Sequence, residues 1–476
     1  MIRVYLDWNI ISYLKLPEYL YIVDFINENK EHLLFLYSPA HFSDLMKSSQ
    51  EHPNFQKDLE TLEWLCGKHH IRWENDNFAA LFGTPSYFFE EIKHNVVDET
   101  AFDLEKQFQI LEELSVDLPA SKVLIDNYKK NLQSTKFDLQ LDETSRKVFE
   151  AFFPNLDLNA SLWDVSKTFG LSAQAMINNK KIWLDLRKYI EESGGKLESN
   201  AGNWEKNEVI TKVGDFLKKI SPTPMSFYEY IQINYKDREK PSTLYELYQS
   251  AYLTLDLIGY KSDSLPKQTD SLMNITTDVE HSFLAQTCDI FVLEDKKMKA
   301  KTEALYHYFN IHTSVVSLEE MVLSIEKKLH DKSLVSPIDI MEHIYDMFLE
   351  EINPLIDGTT VPFNKPLENK LFNFFDFAHF EFEPNQSILI ITFSKDEFKY
   401  SNFLYFTEKE YLLNQIENLF QIIPENEHYK AWREQYIHNH EFEIQRYGNS
   451  GVVGALWKEE KYAYPLLTMG VRLHTE

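Results

Sequence analysis

TDVEHSFLAQTCDIFVLEDKKMKAKTEALYHY, residues 277–308, carries the pattern that decides the fold. Thr277-Asp278-Val279-Glu280 has the Thr-x-x-Glu spacing of a capping box, which predicts a helix opening there and ending near Cys288. Ile290-Phe291-Val292-Leu293 is apolar at every position, the mark of a strand covered on both faces, and it stops at Glu294-Asp295. A helix over about 296–308 follows, then the strand Thr313-Ser314-Val315-Val316 and a helix from Leu318 to about Leu329. Strands alternating with helices in this way predict a parallel sheet.

The same pattern stands at the start of the chain. Residues 2–6, Ile-Arg-Val-Tyr-Leu, form an apolar β-run ending at Asp7. Two amphipathic helices follow, one through Ile10, Ile11, Tyr13 and Leu14, the other through Tyr19, Ile22, Val23 and Ile26. Leu33 to Tyr37 makes a second strand, stopped by Ser38-Pro39, and a helix runs from His41 to Ser48. Residues 1–51 and 246–330 therefore read as two parts of one α/β domain. Between them, 52–245 reads as a nearly all-helical insertion, with Phe102, Leu104, Phe108, Leu111 and Leu114 and then Trp183, Leu186 and Ile190 mostly at helical spacing. Residues 331–476 read as a separate α+β domain: helix signals at 336–351, a β-rich stretch through Phe380, Phe382 and Ile388 to Phe393, a helix over about 408–422, and a hairpin through Gly451 to Trp457.

Composition narrows the function. The chain has 476 residues, 43% hydrophobic, enough for several cores. Its 48 Lys+Arg against 75 Asp+Glu leave a net charge of −27, which opposes broad attraction to nucleic acid. Any nuclease built on this chain needs a local basic patch, metal ions bridging carboxylates to phosphate, or a partner. No GxxxxGK[ST] or GxGxxG occurs, which argues against a nucleotide-binding loop. Cys66 and Cys288 lack zinc or disulfide spacing and read as buried helix positions. Residues 1–6 lack the pattern of a signal peptide and the apolar runs are too short for a membrane span, so the expected location is the cytoplasm.

Four aspartates then stand out. Asp7 and Asp295 each end an apolar strand, and Asp44 and Asp278 sit in the adjoining helices. Singly they have ordinary explanations: Asp7 and Asp295 as helix caps, Asp278 at a helix start, Asp44 on a solvated face. Jointly they fall where open parallel sheets form their sites, outside the carboxyl ends of the strands. Carboxylates gathered there repel one another unless divalent cations neutralise them, and an all-oxygen site suits Mg²⁺ or Mn²⁺. Two such ions can activate a water and stabilise the leaving oxygen of a phosphodiester.

The segments VYLDWNIISYLK (4–15), LYSPAHFSDL (36–45) and DVEHSFLAQTCDIFVLEDKKMKAKTEAL (278–305) resemble the PIN-like nuclease family, in the family's order. The resemblance covers about 1–50 and 260–325. It implies a three-layer α/β/α fold with a parallel sheet and Mg²⁺- or Mn²⁺-dependent cleavage of RNA, less often of DNA. By position it implies Asp7, Asp44, Asp278 and Asp295 as the four acidic metal ligands, with Asn9 as the polar residue that often follows the first. The family more often has Glu at the Asp44 position, and neither the insertion nor the C-terminal third belongs to its basic fold.

Other charged groups read differently. Asp289 lies at the opposite end of its strand from Asp295, about 20 Å away if extended, and reads as structural. His281, on the Asp278 face of its helix, reads as a core histidine able to tune the site. Lys296, Lys297, Lys299 and Lys301 make a basic run that suits either a phosphate backbone or plain solvent. Lys180-Lys181-Ile182-Trp183 with Arg187 and Lys188 mixes basic and aromatic residues, with the tryptophan read as core. The leading expectation is a metal-dependent endonuclease acting on RNA ahead of DNA, in the manner of a regulated toxin or anti-phage effector. The alternative is a non-catalytic scaffold of the same fold that works through its extra domains, with a protein partner or as a homo-oligomer; no membrane partner is expected.

Overall fold

The computed structural model describes residues 1–47, 51–93, 104–114, 119–136, 146, 157, 159–167, 187–188, 190–192, 197–198, 200–220, 224–233, 235–236, 238–261, 272–329, 336–395, 404–422, 427–439, 444–449, 451–458 and 464–473. Two compact units divide the chain. The first is Met1–Pro85 with Leu284–Asp295 and Phe309–Glu476; the second is Ser86–Phe283 with Lys296–Tyr308.

In the first unit, β1 (Ile2–Leu6) and β2 (Leu33–Leu36) pair in parallel, Tyr5 opposite Leu36. A hairpin of β3 (His69–Glu74) and β4 (Asn77–Phe82) comes next, followed by β5 (Ile290–Val292) and β6 (Ser314–Val316). The order β2-β1-β5-β6 makes a four-stranded, all-parallel sheet, so the chain is α/β at this level. Every residue of β1, β2 and β5 is buried, as a sheet covered on both faces requires.

The β3–β4 hairpin is a β element within the segment 52–245, which reads from sequence as nearly all-helical. Its turn is Asn75-Asp76, both with positive φ (51° and 61°), the backbone of a two-residue hairpin loop. Asn and Asp tolerate that conformation better than most residues, so the Asn-Asp pair was the available signal. Tyr37 bridges to His70, which ties the hairpin to the end of β2.

The rest of the first unit is antiparallel. Strands β7 (Phe363–Leu371), β8 (Phe375–Glu383), β9 (Ile388–Ser394), β10 (Gln445–Asn449), β11 (Val452–Trp457) and β12 (Leu466–Arg472) form one sheet in the order β10-β11-β12-β9-β8-β7. Burial alternates along β9 and β11, so one face is covered. Ile340 and Ile344 of the helix Pro337–Met347, Leu412 and Ile416 of the helix Phe406–Phe420, and Trp432 and Tyr436 of the helix Glu427–His438 join that core. Pro366, which cannot donate to a ladder, lies on the edge strand β7 where the register shifts.

Gly454 in β11 faces the Phe420 ring so closely that a Cβ would collide with it. Gly454→Ala should therefore cost about 1–3 kcal/mol through overpacking, measured as a lower denaturant midpoint with an unchanged m-value.

The second unit is helical among its described residues, including Leu104–Leu114, Pro119–Ser134, Val209–Ile220, Phe227–Gln232, Leu244–Leu257 and Lys296–Tyr308. Phe108 packs edge-on against Trp163 at 5.1 Å and stacks with Tyr128 at 6.0 Å. At its centre, Asp256, 0% exposed, accepts from Lys301 Nζ at 3.1 Å and from Arg187 Nη2. Lys301 also stands 4.7 Å above the Tyr252 ring. The expected helix residues Phe102, Trp183 and Leu186, and the Lys180-to-Trp183 segment, lie outside the described residues.

Candidate metal centre

Strand β1 ends at Leu6, but the ladder runs one residue further, because the Asp7 N–H donates to the Val292 carbonyl at 2.9 Å. Asp7 then stands at the N-cap of the helix Trp8–Tyr13 with extended backbone, φ −64° and ψ 153°. Its carbonyl accepts from the Ile10 N–H at 3.0 Å, while its carboxylate makes no capping bond to the first-turn amides. The carboxylate accepts instead from Asn9 Nδ2 at 3.1 Å. Asp7 is 4% exposed, so the plain capping explanation covers its backbone and leaves a buried carboxylate to account for.

Asp44 is brought to it by the helix Pro39–Leu45, which opens on Ser38 in extended conformation with Pro39 at its first position. The fully buried His41 locks this helix to β1. The Ser38 N–H donates to His41 Nδ1 at 3.0 Å, which makes Nε2 the protonated nitrogen, and Nε2 donates to the Leu6 carbonyl at 2.9 Å. Leu6 directly precedes Asp7, so one imidazole fixes the helix bearing Asp44 against the strand bearing Asp7. Asp44 follows one turn later on that helix, and an oxygen of each carboxylate lies within 4.8 Å of the other. The sequence reading passed over His41; the Ser-Pro-x-His spacing, with a histidine three residues after the cap, was the available signal.

Two ionised carboxylates at that separation repel by about 1 kcal/mol in water and about 3 kcal/mol at the effective dielectric of a protein surface. Lys47, 44% exposed, pairs with Asp44 at 2.5 Å and offsets part of this from outside. The remaining negative potential at a half-buried, all-oxygen pair is what a hard divalent cation requires.

The other two aspartates sit differently. Asp295 is exposed, just beyond the carboxyl end of β5, the strand beside β1, and so leaves the sheet at the same edge as Asp7. Its neighbour Glu294 is committed to packing, accepting from the Leu318 N–H at 2.8 Å at the start of the following helix. Asp278 does not open a helix. The helix runs Leu272–Ala285, so Thr277-x-x-Glu280 lies in its interior, and the capping-box reading is corrected. Ile275, Val279 and Phe283, all buried and four residues apart, carry the apolar stripe straight through that motif. Asp278 is half-buried there, and His281, one turn on, is 1% exposed.

The basic residues noted in the sequence also resolve. Lys301 is 0% exposed and paired with Asp256, so it does not face solvent, and Arg187 is spent on the same carboxylate. Lys296 is exposed, and Lys297 and Lys299 are half-exposed. Cys66 and Cys288 are both buried thiols; Cys66 ends a helix as expected, whereas Cys288 lies in the turn before β5.

The amino ends of the same strands are charged as well, and there Asp289, Arg3 and Glu408 each have an ion-pair partner. Asp289, before β5, accepts from the Arg3 N–H at 2.8 Å and pairs with Lys370. Burial would raise its pKa, yet Lys370, with Lys395 and Lys328 further off, holds it well below the usual carboxylate range. In β1, Arg3 makes a bidentate pair with Glu408, Nε to Oε1 at 2.7 Å and Nη2 to Oε2 at 2.8 Å, and donates to the Thr287 carbonyl at 3.2 Å. Burial works against both charges; the pairing raises the Arg3 pKa and lowers that of Glu408. Asp289 is therefore structural in position and in bonding. No family model, curated protein or solved structure matches this chain.

Proposed function

We propose that this chain is a divalent-metal-dependent nuclease of the PIN-like type, cleaving phosphodiester bonds of RNA in preference to DNA. The observation that carries the reading is the Asp7–Asp44 pair, with carboxylate oxygens within 4.8 Å at the carboxyl edge of an all-parallel sheet. The strand order β2-β1-β5-β6 and the likeness of 4–15, 36–45 and 278–305 to the family support it. Asp278 and Asp295 complete the acidic set in this proposal, carried over from the resemblance.

Mg²⁺ or Mn²⁺ bound there would polarise the phosphate and lower the pKa of an attacking water. The protein's own part is positional. Asp7 and Asp44 hold the cation, Asn9 orients the Asp7 carboxylate, and His41 sets the spacing of the pair through the Leu6 carbonyl. Exposed Lys296, next to Asp295 in the chain, would offer a phosphate backbone a local positive charge in a chain otherwise repulsive to it.

Mn²⁺ at about 100 times its Kd should stabilise the protein by about 2.7 kcal/mol, read as a rise in thermal midpoint that EDTA reverses. The same protein should cut single-stranded RNA in Mn²⁺ and not in EDTA. If neither cation binding nor cleavage of RNA or DNA appears, the enzymatic reading fails and the scaffold reading takes its place.

A further inference from the structure

Within the first unit, a cleft of about 220 Å³ opens between the helices Leu318–Leu329, Pro337–Met347 and Phe406–Phe420, with β7 along one side. Polar groups on its wall include Lys328, Lys370, His32, His343, Tyr411 and Gln415. Among the described residues no Asp or Glu lines it, in a chain where acids outnumber bases 75 to 48.

Among the described residues, the charges lining the cleft are cationic. Lys370 is paired with Asp289, and that carboxylate answers one ammonium group. Lys328 is only partly exposed and, among the described residues, has no carboxylate within ion-pair distance. Burial pushes its pKa down against the pull of Asp289, with Lys370 and Lys327 adding to the push. His343 is exposed at the rim, and His32 contacts the Tyr411 hydroxyl at 3.2 Å; its other nitrogen faces the exposed Glu31 at 3.1 Å. The His343 imidazole can donate an N–H bond to an incoming anion. Ile340, Ile344 and Leu371 supply a buried apolar wall.

We propose that this cleft binds a small phosphate monoester, its anion held by Lys328 and His343 and its apolar portion against the Ile340–Ile344 wall. A phosphate dianion answers several cationic groups at once, which a single carboxylate does not. The volume lies below the ordinary range for drug-sized ligands, so it suits a sugar phosphate or a mononucleotide rather than a polymer. Neither Asp7 nor Asp44 lines the cleft, so the inference stands apart from the nuclease reading.

Calorimetric titration of the full chain with inorganic phosphate, ribose 5-phosphate and AMP tests it. At least one of the three should bind with a Kd below about 1 mM, and Lys328→Gln should weaken that binding about tenfold. His343→Ala, at an exposed position, should weaken it about threefold or more and serves if Lys328→Gln fails to fold. Equal affinity for all three assigns the site to the phosphate group alone; tighter binding of AMP assigns it to a nucleotide. The proposal is overturned if none of the three binds, or if both folded variants bind as the parent does.

Discussion

Replacing Arg3 by Ala should destabilise the protein by about 3–5 kcal/mol, the range for removing one partner of a buried ion pair. Arg3 and Glu408 have side-chain exposures of 3% each, and Arg3 supplies two of the hydrogen bonds that satisfy Glu408. Without the guanidinium, Glu408 stays in the core without its bidentate partner, so the cost is mainly a poorly compensated carboxylate. Two further measurements separate this from simple loss of packing. The double variant Arg3→Met/Glu408→Leu should recover most of the loss, because well-packed apolar pairs often match buried ion pairs.

The pH dependence should have a definite sign. Arg3 holds the folded Glu408 pKa below its unfolded value, so its contribution is present above that value, near 4.5, and is lost as pH falls through the folded pKa. In Arg3→Ala the folded Glu408 pKa rises, because burial is then opposed only by Lys395 and the N-terminal ammonium. The gap between parent and variant should narrow as pH falls towards the parent's folded Glu408 pKa, which lies below 4.5. A gap independent of pH would show that the pair is not the source of the effect.

The second large effect concerns Asp7. Asp7→Asn should reduce metal-dependent cleavage by at least about 100-fold, the upper end of what even indirect metal partners cost. It should also leave the metal-free protein as stable as the parent or slightly more so, because it removes one of two carboxylates lying within 4.8 Å of each other. The Mn²⁺-induced rise in thermal midpoint should disappear. Loss of cleavage together with an unfolded variant would point to Asp7 as a packing residue. Full cleavage by a folded variant would remove the metal centre from the reading.

The strands of the parallel sheet were legible because burial on both faces demands apolar residues at successive positions, and Val4-Tyr5-Leu6 and Ile290-Phe291-Val292 satisfy that without ambiguity. The alternation in β9 declared a one-sided sheet for the same local reason. Where local rules conflict, the sequence misleads. Thr277-Asp278-Val279-Glu280 has the spelling of a helix start, but Ile275, Val279 and Phe283 carry a longer apolar stripe, and burying it outweighs one cap. The Asn75-Asp76 turn was hidden within a region dominated by helical spacing.

The sequence by itself determined which residues end the strands, and with them the positions of Asp7 and Asp295, because strand length and burial are local properties of the chain. Tertiary structure alone decided that Asp44 lies beside Asp7, since this depends on His41 reaching the Leu6 carbonyl across 35 positions. It alone decided that Arg3 finds Glu408, 405 positions away, and that Lys301 points at Asp256 and not at solvent. A charge in a sequence carries no record of its partner; desolvation makes burial tolerable only where the fold delivers one.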